Sequence, residues 1–202
     1  METKNIEIAF KDKSIIASGY SHNIDLPTRT TPTEADLTRA KRLCRLSGGH
    51  NNFLNGIRIN FDLKYEQYFT IQAQRYNFLD FVNSESKMVK LVARNDILPS
   101  CNEFVLSEVA EIINTMLHAY NTHDFKLNNF FIFGKIIKTK KELFRYIISN
   151  LPMGFQLWAS ISTNYLQLRN IYFQRKNHKL PEWREFAKFI ESLEDSWLIT
   201  SK

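Results

Sequence analysis

The chain has 202 residues, 44% hydrophobic and 13% aromatic, with only six Gly and five Pro, a globular composition long enough for one sizeable core. A formal charge of +6 and a pI of about 9.3 suit nucleic acid, a membrane surface or a small phosphorylated ligand, yet no tract of about five like charges occurs. Cys44 and Cys101 stand far apart without CxxC spacing, which argues against a disulfide framework or a zinc knuckle, and no His or Cys pair has metal-ligand spacing.

Neither a signal peptide nor an apolar run of about eighteen residues is present, so the expected setting is the reducing cytoplasm, with no membrane partner. Residues Asn5 to Ser18 alternate loosely around Lys-Asp-Lys and read as a hairpin; Tyr20 to Thr31 is polar and reads as a loop. Thr33-Glu34-Ala35-Asp36 has the form of a capping box with Asp in place of Glu. Leu37, Ala40, Leu43 and Cys44 then mark a helix with Cys44 on its apolar side, and Ser47-Gly48-Gly49 reads as its end.

Ile57, Ile59, Phe61 and Leu63 alternate with Arg58, Asn60 and Asp62, the clearest strand in the chain. Tyr65 to Tyr76 is helical in period, and Phe78 to Val82 reads as a short apolar turn or strand. The polar island NSESKM (83–88) is either a surface turn or a site. Ser107 reads as the N-cap of a helix through Val109, Ile113, Met116 and Tyr120. Phe125 to Ile137 fits a buried strand or the last part of a helix equally well. KIIKTKK (135–141) reads as a solvated hairpin or helix start, and Thr139 caps a helix over Lys140 to Asn150. Helices outnumber strands, which gives one α/β or α+β domain over residues 1–202, with 1–32 an N-terminal hairpin and loop and 33–202 the core.

The last quarter of the chain, Leu151 to Ile190, holds two helical patterns joined by the basic turn RKNHKLPEW, where Pro181 suits the first position of the second helix. Asn164, Leu168, Ile171 and Arg175 follow at steps of four, three and four along one largely apolar side. A long cation there needs an anion or a carbonyl to meet.

HNNFLNGIRINFDL, then QAQRYNFLDFVNSESKM, then LPMGFQLWASISTNYLQLRN and the helix after RKNHKLPEW resemble, in order and spacing, the flavin-dependent thymidylate synthases. The resemblance covers roughly residues 48–189, and the chain also looks like a shorter, phage-encoded branch in which NHKLPEW replaces the usual turn. It implies a thymidylate synthase-complementing-like fold, a central, mostly antiparallel sheet with flanking helices. His50 matches the family's opening His, Gln72 and Arg75 the residues around its Arg-His-Arg triplet, and Ser86 its loop Ser. Asn164 and Asn170 fall in the late helix motif, and Arg175 matches the Arg of its Leu-Arg ending.

What the resemblance implies is a deoxyuridylate-like nucleotide held by Gln72, Arg75, Ser86 and Arg175, and FAD held by His50, Asn164 and Asn170. Reductive methylation of deoxyuridylate would draw on NADPH and methylene-tetrahydrofolate in a homotetramer, with no protein nucleophile as a catalytic residue. The departures are as informative. The triplet reads Arg75-Tyr76-Asn77, Ser-x-Arg reads Ser86-Lys87-Met88, and the late-helix Arg and His are Leu166 and Asn170. These degenerate motifs favour a nucleotide-binding protein whose synthase activity is weakened, or a non-catalytic protein that sequesters a nucleotide or engages a host protein. No sequence-specific nucleic-acid partner is indicated.

Bland readings compete at each position. Arg175 meets either a ligand or the helix's terminal carbonyls or Glu182, Arg75 either a phosphate or Asp80 or Glu85. Ser86 is either a ligand hydroxyl or a turn former, and His50 is either a ligand group or a cap at the strand entry. His178 either touches a phosphate or is an ordinary exposed turn His. Tyr65, Tyr68, Phe69, Tyr172, Phe173 and Trp183 either stack a flavin or base or, as is usual for aromatics at helical spacing, make core or subunit contacts.

Overall fold

Alternation in the Ile57–Leu63 run fixes the centre of the fold. In the computed structural model, which describes residues 1–202, β2 (Arg58–Glu66) buries Ile59, Phe61, Leu63 and Tyr65 on one face. It pairs antiparallel with β1 (Glu2–Ala9), and β6 (Gln156–Asn164) and β3 (Asp80–Ser84) complete a mostly antiparallel sheet of order β1-β2-β6-β3.

In chain order the remaining elements are α1 (Lys11–Ala17), α2 (Glu34–Leu43), α3 (Gln67–Ala73), α4 (Lys87–Lys90) and α5 (Ser107–Thr122). A two-stranded hairpin, β4 (Phe130–Ile132) with β5 (Lys135–Ile137), comes next. Helices α6 (Lys140–Asn150), α7 (Tyr165–Arg175), α8 (Pro181–Glu191) and α9 (Trp197–Thr200) finish the chain.

Two compact units result. One comprises Met1–Lys64, Ile71–Asn83 and Ala159–Lys202; the other comprises Tyr65–Thr70 and Ser84–Trp158. In the first, α8 presents Trp183, Phe186, Ala187 and Ile190 at helical spacing, all buried, and Phe186 and Phe189 pack on Phe61 at centroid distances of 6.1 and 4.8 Å. Pro181 opens α8 and Glu182 sits in its first turn, where a fixed φ and a negative charge both favour the helix start. Helix α7 is tied to the strand entry by the Tyr165 N–H donating to the Ile57 carbonyl (3.1 Å). In the second unit α5 packs on α6, with Tyr120 against Phe144 at 5.7 Å.

Several expectations need correction. The hairpin over Asn5–Ser18 does not form: β1 pairs with β2 instead, and Ile15 and Ile16 are buried in α1. Lys-Asp-Lys, turn-like by composition, is the first turn of that helix, set off by Phe10 in the left-handed region at φ 62°. Helix α2 ends at Cys44, and Gly48 and Gly49 belong to the following turn. Leu106, not Ser107, is the N-cap of α5. Tyr65 belongs to β2, and the helix after it covers only Gln67–Ala73. Phe125–Ile137, whose pattern fits strand or helix, contains the β4–β5 hairpin. The first part of the Leu151–Ile190 stretch is strand β6 rather than helix, with Leu157, Ala159, Ile161 and Thr163 alternating inward.

Candidate functional site

The cation that stands out in sequence, Arg175, is the last residue of α7 and is half-buried. Its Nε donates to the Tyr76 hydroxyl at 2.6 Å. The guanidinium carbon lies 4.8 Å from the Trp183 ring centroid and 5.4 Å from that of Tyr76, within range of attraction to both π faces. Those rings meet edge-on at 5.6 Å.

The supporting groups are spent on one another. Tyr76 Oη donates to Gln174 Oε1 (2.9 Å), and Trp183 Nε1 donates to Gln72 Oε1 (2.9 Å). Arg175 joins none of the chain's ion pairs. A guanidinium carries five N–H donors, so the four at the terminal nitrogens of Arg175 are left without a carboxylate. Neither bland reading of Arg175 describes this arrangement, because its protein acceptor is a phenol.

The turn after α7 is braced rather than loose. Arg184 Nη1 donates to the carbonyls of His178 and Lys179 (2.7 and 2.9 Å), and the Leu180 N–H donates to His178 Nδ1 (3.2 Å). Desolvation, then the charges of Arg175, Arg184 and Lys179, holds the His178 imidazole below its ordinary value. The turn therefore presents a neutral ring at pH 7.

Tyr76 also borders a cleft of about 690 Å³ whose wall is Gln74 and the run Tyr76 to Phe81, a volume within the usual range for small-molecule sites. Arg75, one residue away, is exposed and joins no ion pair. Asn164 is buried at the N-cap of α7. Its Oδ1 accepts the Gln167 N–H at 2.8 Å while its Nδ2 has no partner, and an orphaned buried donor costs about 1–3 kcal/mol unless something outside the chain meets it.

His50, Asn170 and Ser86 share no hydrogen bond or ion pair with Arg175. His50 is exposed in the turn before β2, and Asn170 is the exposed residue on an otherwise buried stretch of α7. Ser86 belongs to the second unit, exposed at the N-cap position of α4 and making no side-chain cap bond. There Lys87 Nζ donates to Gln67 Oε1 (2.6 Å), Gln67 Nε2 donates to the Pro152 carbonyl (3.0 Å), and Met88 is exposed. No group of three or more His, Cys, Asp or Glu is placed to hold a metal ion, and no helix is long and apolar enough to cross a membrane.

Three residues of the Arg175 cluster escaped the sequence reading as site residues: Tyr76, Gln174 and Trp183. In the sequence Tyr76 stands only as a departure from the family's His, and Trp183 as one of several aromatics that either stack a ligand or fill the core. No local signal links Tyr76 to a cation 99 positions away.

This architecture is that of the flavin-dependent thymidylate synthases: the chain has their fold. A crystal structure of flavin-dependent thymidylate synthase ThyX from Helicobacter pylori, complexed with FAD and dUMP, superposes with a TM-score of 0.66 at 16% identity, over 99% of this chain and 98% of that one. A second ThyX structure from the same organism, also with FAD and dUMP, gives a TM-score of 0.70 at 15% identity with the same coverage. No family model and no curated protein sequence matches the chain.

Proposed function

We propose that this chain is a nucleotide-binding protein on the thymidylate synthase scaffold, taking a deoxyuridylate-like ligand at Arg175 with its flavin chemistry weakened or lost. The observation that carries the reading is the Arg175 guanidinium, fixed by Tyr76 and Trp183 yet with no carboxylate to neutralise it. Such a fork suits the planar, bidentate recognition of a phosphate or a pyrimidine carbonyl edge. That the ThyX structures sharing the fold are complexed with FAD and dUMP supports the ligand class.

The flavin side fits less well. Where the resemblance implies a His and a second Arg, Tyr76 turns its hydroxyl to Arg175 and Gln174, and Asn77 carries no charge. Each charge-assisted bond lost is worth about 1.5–3 kcal/mol, so two losses weaken FAD binding by roughly two to four orders of magnitude. The orphan Asn164 Nδ2 and exposed Arg75 are what remain to meet a flavin or a phosphate. On this reading the chain sequesters a nucleotide in the cytoplasm, with self-association into a homotetramer as the resemblance implies. NADPH and methylene-tetrahydrofolate enter only if flavin binds.

The visible spectrum of the purified protein, together with calorimetry against dUMP, tests the reading. A colourless protein that binds dUMP is the expected result, and Tyr76→His with Asn77→Arg should raise flavin affinity. Copurified flavin in the natural sequence makes the protein an enzyme candidate instead, and failure to bind either ligand removes the proposal.

A further inference from the structure

Within the second unit the cations cluster in one segment. Between Asp124 and Arg145 stand Lys126, Lys135, Lys138, Lys140, Lys141 and Arg145 against two carboxylates, a surplus of four in a chain whose net charge is +6. Both carboxylates are already engaged: Asp124 Oδ1 accepts the Lys126 N–H and Glu142 Oε2 the Lys138 N–H, each at 2.9 Å.

The same segment exposes rings. Phe131 pairs with Ile136 across the β4–β5 hairpin, and both point outward because Phe130 and Ile137 take the inward positions. Phe131 is 66% exposed, and Phe133, in the tight turn at φ 44°, is 75% exposed. Beside them lies a cleft of about 380 Å³ lined by Phe125, Lys126, Leu127, Asn128, Asn129 and Phe131.

The loop that forms this cleft is built rather than slack. The Asp124 carbonyl accepts the N–H groups of Leu127 and Asn128 (3.2 Å each). His123 Nε2 donates to the Asn128 carbonyl at 2.9 Å, its ring edge-on to Phe125 and Phe130.

We propose that this hairpin and loop bind single-stranded nucleic acid without marked sequence preference. Bases stack on Phe131 and Phe133, the amides of Asn128 and Asn129 reach base edges, and Lys126, Lys135 and Lys138 follow the phosphates. Exposed rings that accept any base, set among cations that track a backbone, are what such binding needs. A lipid surface has no use for two amides in the cleft wall, and a second copy of this face would bring a like charge surplus against its own. The inference is independent of the nucleotide reading at Arg175.

Fluorescence anisotropy of a labelled oligothymidylate of about 20 nucleotides against the full chain provides the test. We expect binding at low salt whose log Kd changes with log salt at a slope of about 2 to 3, as three or four phosphate contacts require. Phe131→Ala with Phe133→Ala should weaken it about 30-fold or more without shifting Tm, since both rings are exposed, and Lys126→Glu with Lys138→Glu should flatten the salt slope. The inference is overturned by no anisotropy change at low salt or by binding indifferent to the Phe pair. Pelleting with phosphatidylserine vesicles, or ring-dependent self-association in sedimentation velocity, overturns it too if oligonucleotide is ignored.

Discussion

Helix α7 carries two arginines six residues apart, neither with a carboxylate, in opposite circumstances. In the middle of the helix Arg169 is 9% exposed, and its Nη1 donates to the carbonyls of Ile199 and Ser201 at 2.7 and 2.6 Å, with its guanidinium 4.7 Å from the Phe173 ring centroid. It clamps the C-terminal segment. At the helix end Arg175 spends one N–H on Tyr76 and lies against two rings. Burial alone would rank Arg169 as the more unusual residue, but the acceptors separate the two: Arg169 meets two backbone carbonyls and Arg175 only a phenol. A buried cation matched to two backbone carbonyls is architecture, and a half-buried one held by a single phenol, with both terminal nitrogens unspent, is equipped to meet something else.

The sharpest way to break this contrast is to delete each cation. Arg175→Ala should lower dUMP affinity by roughly two to four orders of magnitude, the value of two charge-assisted bonds, while Tm stays nearly fixed. Arg169→Ala should do the reverse. It orphans two carbonyls and removes a packed side chain, a loss of about 3–5 kcal/mol, read as a fall of about 10 °C or more in Tm, with dUMP binding retained by the fraction still folded. A large fall in Tm for Arg175→Ala would make both residues architectural and remove the contrast.

Asp36 is the acidic counterpart of Arg169. Its carboxylate accepts from Arg29 Nη2 (2.7 Å), the Thr33 N–H (2.9 Å), the Thr33 hydroxyl (2.8 Å) and Arg39, closing the capping box of α2. Burial alone would raise its pKa, but the Thr33 backbone bond and the two guanidinium bonds outweigh it and hold the carboxyl well below the usual range. A depressed folded value means that the stabilisation is complete above the ordinary Asp value of about 3.9 and drains away as pH falls toward the folded one. Asp36→Asn should therefore cost about 2 kcal/mol at pH 7. In urea titrations the gap from the natural sequence should close progressively below about pH 4. A gap of constant size down to pH 2 would show that the charge contributes nothing.

What was legible in the sequence follows the same division between local and distant causes. Thr33 and Asp36, Thr139 and Pro181 set helix starts within three or four residues of themselves, and the alternation of β2 shows in its own nine residues. Strand β6 was equally local in signal but was read as part of a helical stretch, since the 3.6-residue period of the Tyr165–Arg175 segment dominates its neighbour. The Asn5–Ser18 hairpin failed because composition cannot say which strand is the partner: β1 finds β2 across some fifty residues. The Arg175 site was half legible. Its oddness showed in the helical spacing, whereas the phenol and indole that hold it come from α8 and from the turn after α3.

The smallest expected effect isolates that hold. Tyr76→Phe keeps the ring that faces the guanidinium and removes only the oxygen that accepts from Arg175 Nε and donates to Gln174. The lost bond sits on a half-buried residue, so its net value is about 1–1.5 kcal/mol. Fold stability should barely register it, because Gln174 is exposed and can turn to water. Ligand affinity should register it more clearly. Without the oxygen the guanidinium is free to rotate over the Trp183 face and must be reordered each time the ligand binds, which weakens dUMP by about five- to tenfold. Calorimetry separates this from a charge effect: the loss should appear mainly as a less favourable entropy of binding with the salt dependence unchanged, because Arg175 keeps its charge. A Kd unmoved by Tyr76→Phe would mean that the two rings alone orient Arg175, and that the phenol is there for the cleft it borders.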